Sequence, residues 1–186
     1  DLYTLGAHGE PQNATEFGPI PDSWDTDLLD HVADVQTGIA KGRKFTEAEM
    51  IQVPYLRVAN VQDGHLDLSE MKTIPIRPLE IHRYRLQVGD VVLTEGGDFD
   101  KLGRGSIWRG ELELCLHQNH VFAVRLNREK ILPEFFAYLA QSPYGKAYLL
   151  KVAHKTTNLA CINTNKLKAF PVISPLLDEQ REIVDI

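Results

Sequence analysis

The period of the apolar positions changes along the chain. Leu28, Leu29, Val32 and Val35 recur at helical spacing and predict a short helix ended by Gly38. Shorter apolar stretches follow, divided by turn residues. Tyr55–Val61 predicts a strand, Gln62-Asp63-Gly64-His65 a hairpin turn, because Asp-Gly supplies the positive φ such turns use, and Leu66–Leu68 its far side. Met71–Ile76, Val91–Thr94, Gly105–Trp108, Leu112–Leu116 and Val121–Leu126 predict further short strands, Val91–Thr94 a buried one. Helical spacing then returns. Leu132, Phe135, Phe136, Leu139 and Ala140 mark one face, with Pro133 suited to the first turn, and Ser142-Pro143 starts a second helix through Tyr148, Leu149 and Val152. Pro171 and Pro175 break regular structure. Asp178–Val184 predicts the first turns of another helix, with Asp178 as a cap.

These elements give an α+β fold class: a single compact domain with a curled, mainly antiparallel β core, flanking short helices and the start of a long C-terminal helix. Residues 1–20, with Gly6, Gly9, Pro11, Gly18 and Pro19 and few apolar positions, read as an N-terminal arm. Residues 21–177 read as the domain, and 178–186 as the start of the helix. No internal repeat or low-complexity stretch is visible.

A length of 186 residues suits one domain, and 43% hydrophobic residues is enough for a core, which excludes a wholly disordered chain. No apolar run approaches the ~18–20 residues that span a bilayer, and no basic-then-apolar leader opens the sequence. The expected setting is cytoplasmic, without a membrane. The first residue is Asp and not Met, which suggests an excised domain or a processed chain. Two widely separated cysteines, Cys115 and Cys161, fit reduced thiols better than a disulfide framework, although one disulfide stays open.

The net charge of −6 argues against a polyanionic partner until its distribution is considered. Residues 1–35 hold eight acids and no Lys or Arg, and residues 178–186 hold four acids and one Arg. The remaining middle, 36–177, carries 14 acids against 19 bases, a balance of +5. That asymmetry fits a polyanion-facing surface, but charge alone favours an ordinary mixed surface with an acidic start somewhat more.

Four segments could carry chemistry. Lys41-Gly42-Arg43-Lys44 is a basic loop. Thr94–Gly105 has four glycines in twelve residues and projects Lys101 and Arg104. Such a loop can approach a phosphate backbone or place Arg against a guanine edge, and it also reads as a hairpin whose glycines only make turns. No Gly-Lys-Ser/Thr follows, so it is not a nucleotide-phosphate loop. In Leu116–His120, Gln118 and Asn119 can read adenine or satisfy strand-end backbone. Cys115, His117 and His120 there invite a metal, but zinc needs four spaced ligands and Cys161 is the sole candidate for the fourth, so no metal is expected. His154–Asn163, with Lys155, Thr156 and Asn158, is rich in short hydrogen-bonding side chains that suit DNA or a capped loop. There is no Asn/Asp-Pro-Pro-Tyr/Phe run, no cofactor-cradling glycine motif and no Gly-x-Ser-x-Gly. Glu70-Met71-Lys72 offers only the end of a nuclease-type motif, its upstream acids Asp67 and Asp63 lying too close. Catalysis is not expected of this chain.

Taken in order, several motifs resemble one family. Thr15–Trp24 is similar to the opening of a target-recognition domain from a type I restriction–modification specificity subunit. Pro54–Gly64 resembles that family's Pro-Tyr strand with its Arg and Asn, Tyr84–Thr94 its Gly-Asp step, and Pro171–Val184 its Glu-Gln entry into a long helix. The likeness spans about residues 15–186. The resemblance implies a non-catalytic reader of one half of a split double-stranded DNA target. Its implied partners are adenine methyltransferase (modification) subunits and a motor–nuclease (restriction) subunit, and the C-terminal helix could pair two chains into a dimer. No cofactor would belong to this chain; S-adenosylmethionine, Mg and ATP would belong to the partners. The DNA-contact candidates are Lys41, Arg43, Lys44, Gly96, Gly97, Lys101, Arg104, Gln118, Asn119, Lys155, Thr156 and Asn158. A complete subunit carries two recognition domains and two long helices, whereas this chain matches one domain and the start of one helix. The alternatives are the recognition domain of a fused restriction–methylation enzyme and a protein-interaction module.

Overall fold

A computed structural model describes residues 2–42, 49–99 and 101–185. A helical turn, α1 (Leu2–Leu5), precedes the hairpin β1 (Gln12–Thr15) and β2 (Gly18–Pro21). Strand β3 (Asp25–Leu28), the one-turn helix α2 (Leu29–Val32) and β4 (Ala33–Thr37) follow. The middle holds β5 (Ile51–Leu56), β6 (Lys72–Ile76), α3 (Ile81–Tyr84), β7 (Val91–Thr94), β8 (Gly96–Gly97), β9 (Gly105–Ile107), β10 (Leu116–His117) and β11 (Val121–Leu126). The last third holds α4 (Pro133–Gln141), α5 (Pro143–Val152), β12 (His154–Lys155), β13 (Ala160–Cys161), α6 (Thr164–Lys168), β14 (Pro171–Ser174) and α7 (Leu177–Asp185).

The centre is an antiparallel sheet in the order β4-β11-β7-β9. Successive residues of a strand point to opposite faces, and here both faces are covered. Val91, Leu93, Phe122 and Val124 join the main core with Trp24, Phe135, Phe136, Leu139 and Phe170. Val92, Val121 and Ala123 face a second cluster with Leu56, Trp108 and Cys115. Burial on both sides explains why β7 and β11 read as continuous apolar runs. A smaller sheet, β10-β5-β6, packs a third cluster around Ile39, Tyr55 and Ile76. The mixed helices and strands and the mainly antiparallel pairing match the α+β class read from the sequence; β10 with β5 is the parallel exception. No described helix is long and apolar enough to cross a membrane.

Several local expectations change. The helix expected across Leu28–Val35 is one turn long. Leu29 and Val32 point into the core, but β3 is claimed by β14, and Val35 pairs with Val124 in the central sheet. Tertiary pairing overrides the spacing, helped by the strand preference of valine. The strand expected from Tyr55 runs earlier, over Ile51–Leu56. Asn60 ends it: its Oδ1 accepts the Arg57 N–H (2.9 Å), and its Nδ2 donates to the carbonyls of Asp67 (2.8 Å) and Glu70 (3.2 Å). The turn after it forms, closed by the Gln62 N–H on the His65 carbonyl (3.0 Å) and a bridge between Val61 and Leu66. Leu112–Leu116 contributes only its last residue to β10. Pro171 opens β14 in a two-stranded sheet, a place proline tolerates. Within residues 1–20, Phe17 packs edge-on against Tyr144 and Tyr148 at 5.8 and 5.4 Å.

Two sequence motifs acquire structural causes. Asp90 is 1% exposed and takes a bidentate Arg125 guanidinium at 2.9 and 2.8 Å, while also accepting the Gln87 N–H at 2.8 Å. Arg125 is held further toward its cation by that carboxylate. Gln180, buried in α7, accepts the Leu132 N–H and donates to the Lys130 and Pro175 carbonyls, each at 2.9 Å. It ties the helix to the loop before α4. Helix α7 begins at Leu177, so Asp178 lies inside its first turn.

Candidate nucleic-acid interface

Three strands of the central sheet run on past its edge. Beyond β4, the Ile39 N–H donates to the His117 carbonyl (2.8 Å), and the Asn119 N–H donates back to the Ile39 carbonyl (3.0 Å). Beyond β7, the Glu95 N–H donates to the His120 carbonyl (2.9 Å), and the Ile162 N–H to the Glu95 carbonyl (2.9 Å). Strand β8 then pairs with β13, Gly96 opposite Cys161 and Gly97 opposite Ala160, and β13 pairs with β12. Segments 38–40, 117–120, 95–97, 160–162 and 154–155 therefore lie side by side as one hydrogen-bonded ribbon at the end of the sheet.

Two glycines allow this closeness. A Cβ on Gly38 would sit 2.0 Å from the His117 carbonyl oxygen, and one on Gly96 2.5 Å from that of Ala160. Any larger residue would push the segments apart.

The ribbon gathers most of the sequence-derived candidates. Lys41 is exposed just beyond it, with its ammonium 5.9 Å from the Tyr55 ring centroid. Gly96 and Gly97 are its middle strand. Lys101 is exposed beside Gly97 and pairs with Asp98. Gln118 and Asn119 lie half-buried in the turn before β11, Asn119 with its Nδ2 against His120 (3.3 Å). Lys155, Thr156 and Asn158 are exposed on the hairpin joining β12 to β13. The Thr156 N–H donates to the Leu159 carbonyl (2.8 Å) and the Leu159 N–H to the Thr156 hydroxyl (3.3 Å), which fixes the hairpin tip. Arg43 and Lys44 lie outside the described residues.

Arg104 has a different setting. Its side chain is 23% exposed, donates to Gln62 Oε1 (3.1 Å) and lies 3.6 Å from Asp63, which Lys146 also approaches at 3.8 Å. The Gly64 N–H donates to the Gly105 carbonyl (2.9 Å). Arg104 thus fastens the 62–65 turn to the glycine-rich loop.

Sequence reasoning missed the pairing of His120 with Glu95, which laces two ribbon segments together. It also missed Gly38. Both signals were present as residues but depend on which segments become neighbours. The sulfur and imidazole groups that invited a metal are not assembled. Cys115 Sγ contacts the Leu116 carbonyl (3.3 Å), and burial pushes its thiol up to about 12. His117 is buried with Nδ1 2.6 Å from the Val121 carbonyl, so Nδ1 carries the proton, and burial lowers its pKa. Among the described residues, the side chains near enough to share an ion are His8, Glu10 and Glu179, between the N-terminal segment and α7. Burial, followed by Glu10, raises the Glu179 carboxyl.

A family described as the type I restriction modification DNA specificity domain matches residues 21–186. A protein assigned as the type I restriction enzyme MjaX specificity subunit of Methanocaldococcus jannaschii is 29% identical over 175 residues, 92% of this chain and 40% of that protein. The type I restriction enzyme EcoKI specificity subunit of Escherichia coli K12 is 28% identical over 136 residues, 70% of this chain and 28% of that one. The chain thus spans well under half the length of these curated relatives. Among solved structures, the HsdS subunit from Thermoanaerobacter tengcongensis aligns with a TM-score of 0.59 at 18% identity, over 89% of this chain and 37% of that one. A chain from a structure of type I R-M system assembly aligns at 0.60 and 17% identity, over 99% of this chain and 41% of its own length. Those two likenesses speak to the fold, and the family match spans most of the sequence: this chain belongs to the type I restriction modification DNA specificity domain family.

Proposed function

We propose that this chain recognises a specific double-stranded DNA sequence through the ribbon at the end of its central sheet. It performs no chemistry itself and reads one half of a split target for a type I restriction–modification enzyme. The observation that carries this reading is the convergence of four distant segments into one surface. That surface bears Lys41, Lys101 and Lys155 beside the uncharged donors and acceptors of Gln118, Asn119, Thr156 and Asn158. Cations supply a salt-sensitive grip on phosphates, and amide and hydroxyl groups at fixed positions discriminate base edges. In this reading Arg104 holds the glycine-rich loop in shape and does not itself read a base.

The partners follow from the same proposal: modification subunits that methylate adenine and a restriction subunit that moves and cuts DNA. Helix α7 is the start of the arm that reaches them, or that pairs two copies of the chain. The cytoplasm is the compartment such an enzyme needs.

The experiment is selection from a pool of random duplexes at several salt concentrations, followed by sequencing of the retained DNA. Enrichment of one short motif, weaker as salt rises, supports the proposal. A retained pool with no motif, or no retention at low salt, rejects it.

A further inference from the structure

Asn119 and His120 close the turn before β11, and the backbone there is tied on both sides. The Asn119 N–H donates to the Ile39 carbonyl (3.0 Å), and the His120 carbonyl accepts the Glu95 N–H (2.9 Å). The two residues thus sit in the middle of the ribbon, between the segment that leads to Lys41 and the glycine-rich loop. Their side chains form a chain of hydrogen bonds. His120 Nδ1 pairs with Glu95 Oε2, and His120 Nε2 lies 3.3 Å from Asn119 Nδ2. A carboxylate only accepts, so Nδ1 carries the imidazole proton, and in the neutral ring Nε2 is then an acceptor. The amide nitrogen of Asn119, and not its oxygen, must therefore face His120. The chain fixes which way round this half-buried amide stands.

One Nδ2 hydrogen is taken by His120. The other remains, next to Oδ1, to which no described residue donates. In the major groove, a donor and an acceptor held side by side complement adenine, whose N7 accepts and whose N6 amino group donates. Guanine shows two acceptors, cytosine a donor, and thymine an acceptor beside a methyl. We propose that Asn119 reads an adenine, and that His120 and Glu95 are positioning residues that hold its amide in the reading orientation. The inference rests on the DNA-reading proposal above and adds to it a base identity and the two residues behind it.

The analogue 7-deazaadenine lacks the N7 acceptor and keeps the N6 amino group, so it isolates the contact. The selected duplex is remade with each adenine replaced in turn, and binding of the chain is measured by fluorescence anisotropy. One position is expected to lose about fivefold in affinity, roughly half of a bidentate base contact in free energy. Asn119→Ala is expected to erase that difference. His120→Ala and Glu95→Ala are expected to shrink it at the same position, with the rest of the motif still preferred. Glu95→Gln, whose amide oxygen still accepts the Nδ1 proton, is expected to restore it. A merely structural role would weaken every sequence alike and would not be rescued in this way. The His120 side chain is exposed, so His120→Ala should melt like the parent chain. If the motif holds no A·T pair, tolerates 7-deazaadenine at every position, or is discriminated by His120→Ala as by the parent, the inference is overturned while the reading beneath it stands. A uniform loss across all sequences in His120→Ala overturns it as well. If no sequence is selected at all, both fail together.

Discussion

The central sheet and the ribbon that extends it are built from the same strands and obey different rules. In the sheet, Val91–Thr94 and Val121–Leu126 are covered on both faces, and the carboxylate of Asp90 is fully paired. A few residues further on, the same strands become glycines, amides and lysines. There the Lys101 pair with Asp98 is exposed, and an exposed His120 hydrogen-bonds a half-buried Glu95. Surface pairs of that kind contribute little, about 0–1 kcal/mol each. The ribbon is therefore held by backbone hydrogen bonds and close glycine packing, and its side chains stay available.

The largest loss is expected in the scaffold. Asp90→Ala leaves the Arg125 guanidinium without its partner and the Gln87 N–H without an acceptor. Because Arg125 is partly exposed, a loss of about 3 kcal/mol is expected, the lower end for broken buried pairs. Urea denaturation measures it. The seam comes next. Gly38→Ala drives a Cβ against the His117 carbonyl, with an expected cost of about 2 kcal/mol and a weakened link between the Lys41 loop and the Gln118 turn. A variant with unchanged stability and unchanged amide protection at Ile39 and Asn119 would remove the seam from the account.

A smaller effect comes from His117. Its folded pKa is depressed by burial, so below the unfolded value of 6.5 the unfolded chain takes up a proton that the folded chain refuses. Stability is therefore intact above that pH and declines as pH falls from there toward the folded value. The slope is at most about 1.4 kcal/mol per pH unit. Thermal melts at a series of pH values should show the decline, and His117→Gln, which keeps a donor for the Val121 carbonyl, should flatten it.

Much of the scaffold was legible in the sequence. The apolar run of Val121–Leu126, the helical face of Leu132 to Ala140 and the Gln62–His65 turn are local patterns with local causes. The one-turn helix at Leu29–Val32 was misread because strand pairing on either side outweighs a helical spacing of only two turns. Helix α6, capped by the Asn163 side chain on the Lys166 N–H (2.9 Å), was missed because it is too short to show a period. The ribbon was legible as four separate polar or basic segments but not as one surface. Neighbours such as Gly96 and Cys161 are set by register between strands 65 residues apart, which no local pattern records. For the same reason Arg104, an obvious cation in the sequence, proved to be engaged with Asp63.

The proposed interface assigns the grip on DNA to the ribbon lysines and not to Arg104. Its most direct test is the salt dependence of affinity for a selected duplex, measured for the parent chain, for Lys41→Ala/Lys101→Ala/Lys155→Ala combined, and for Arg104→Met. Each lost phosphate contact should lower the slope of log affinity against log salt by about 1. The triple variant is expected to lose about three in slope with an unchanged melting temperature. Arg104→Met is expected to melt earlier and to keep the parent slope. A triple variant with the parent slope, or an Arg104→Met that loses slope without losing stability, would contradict the account.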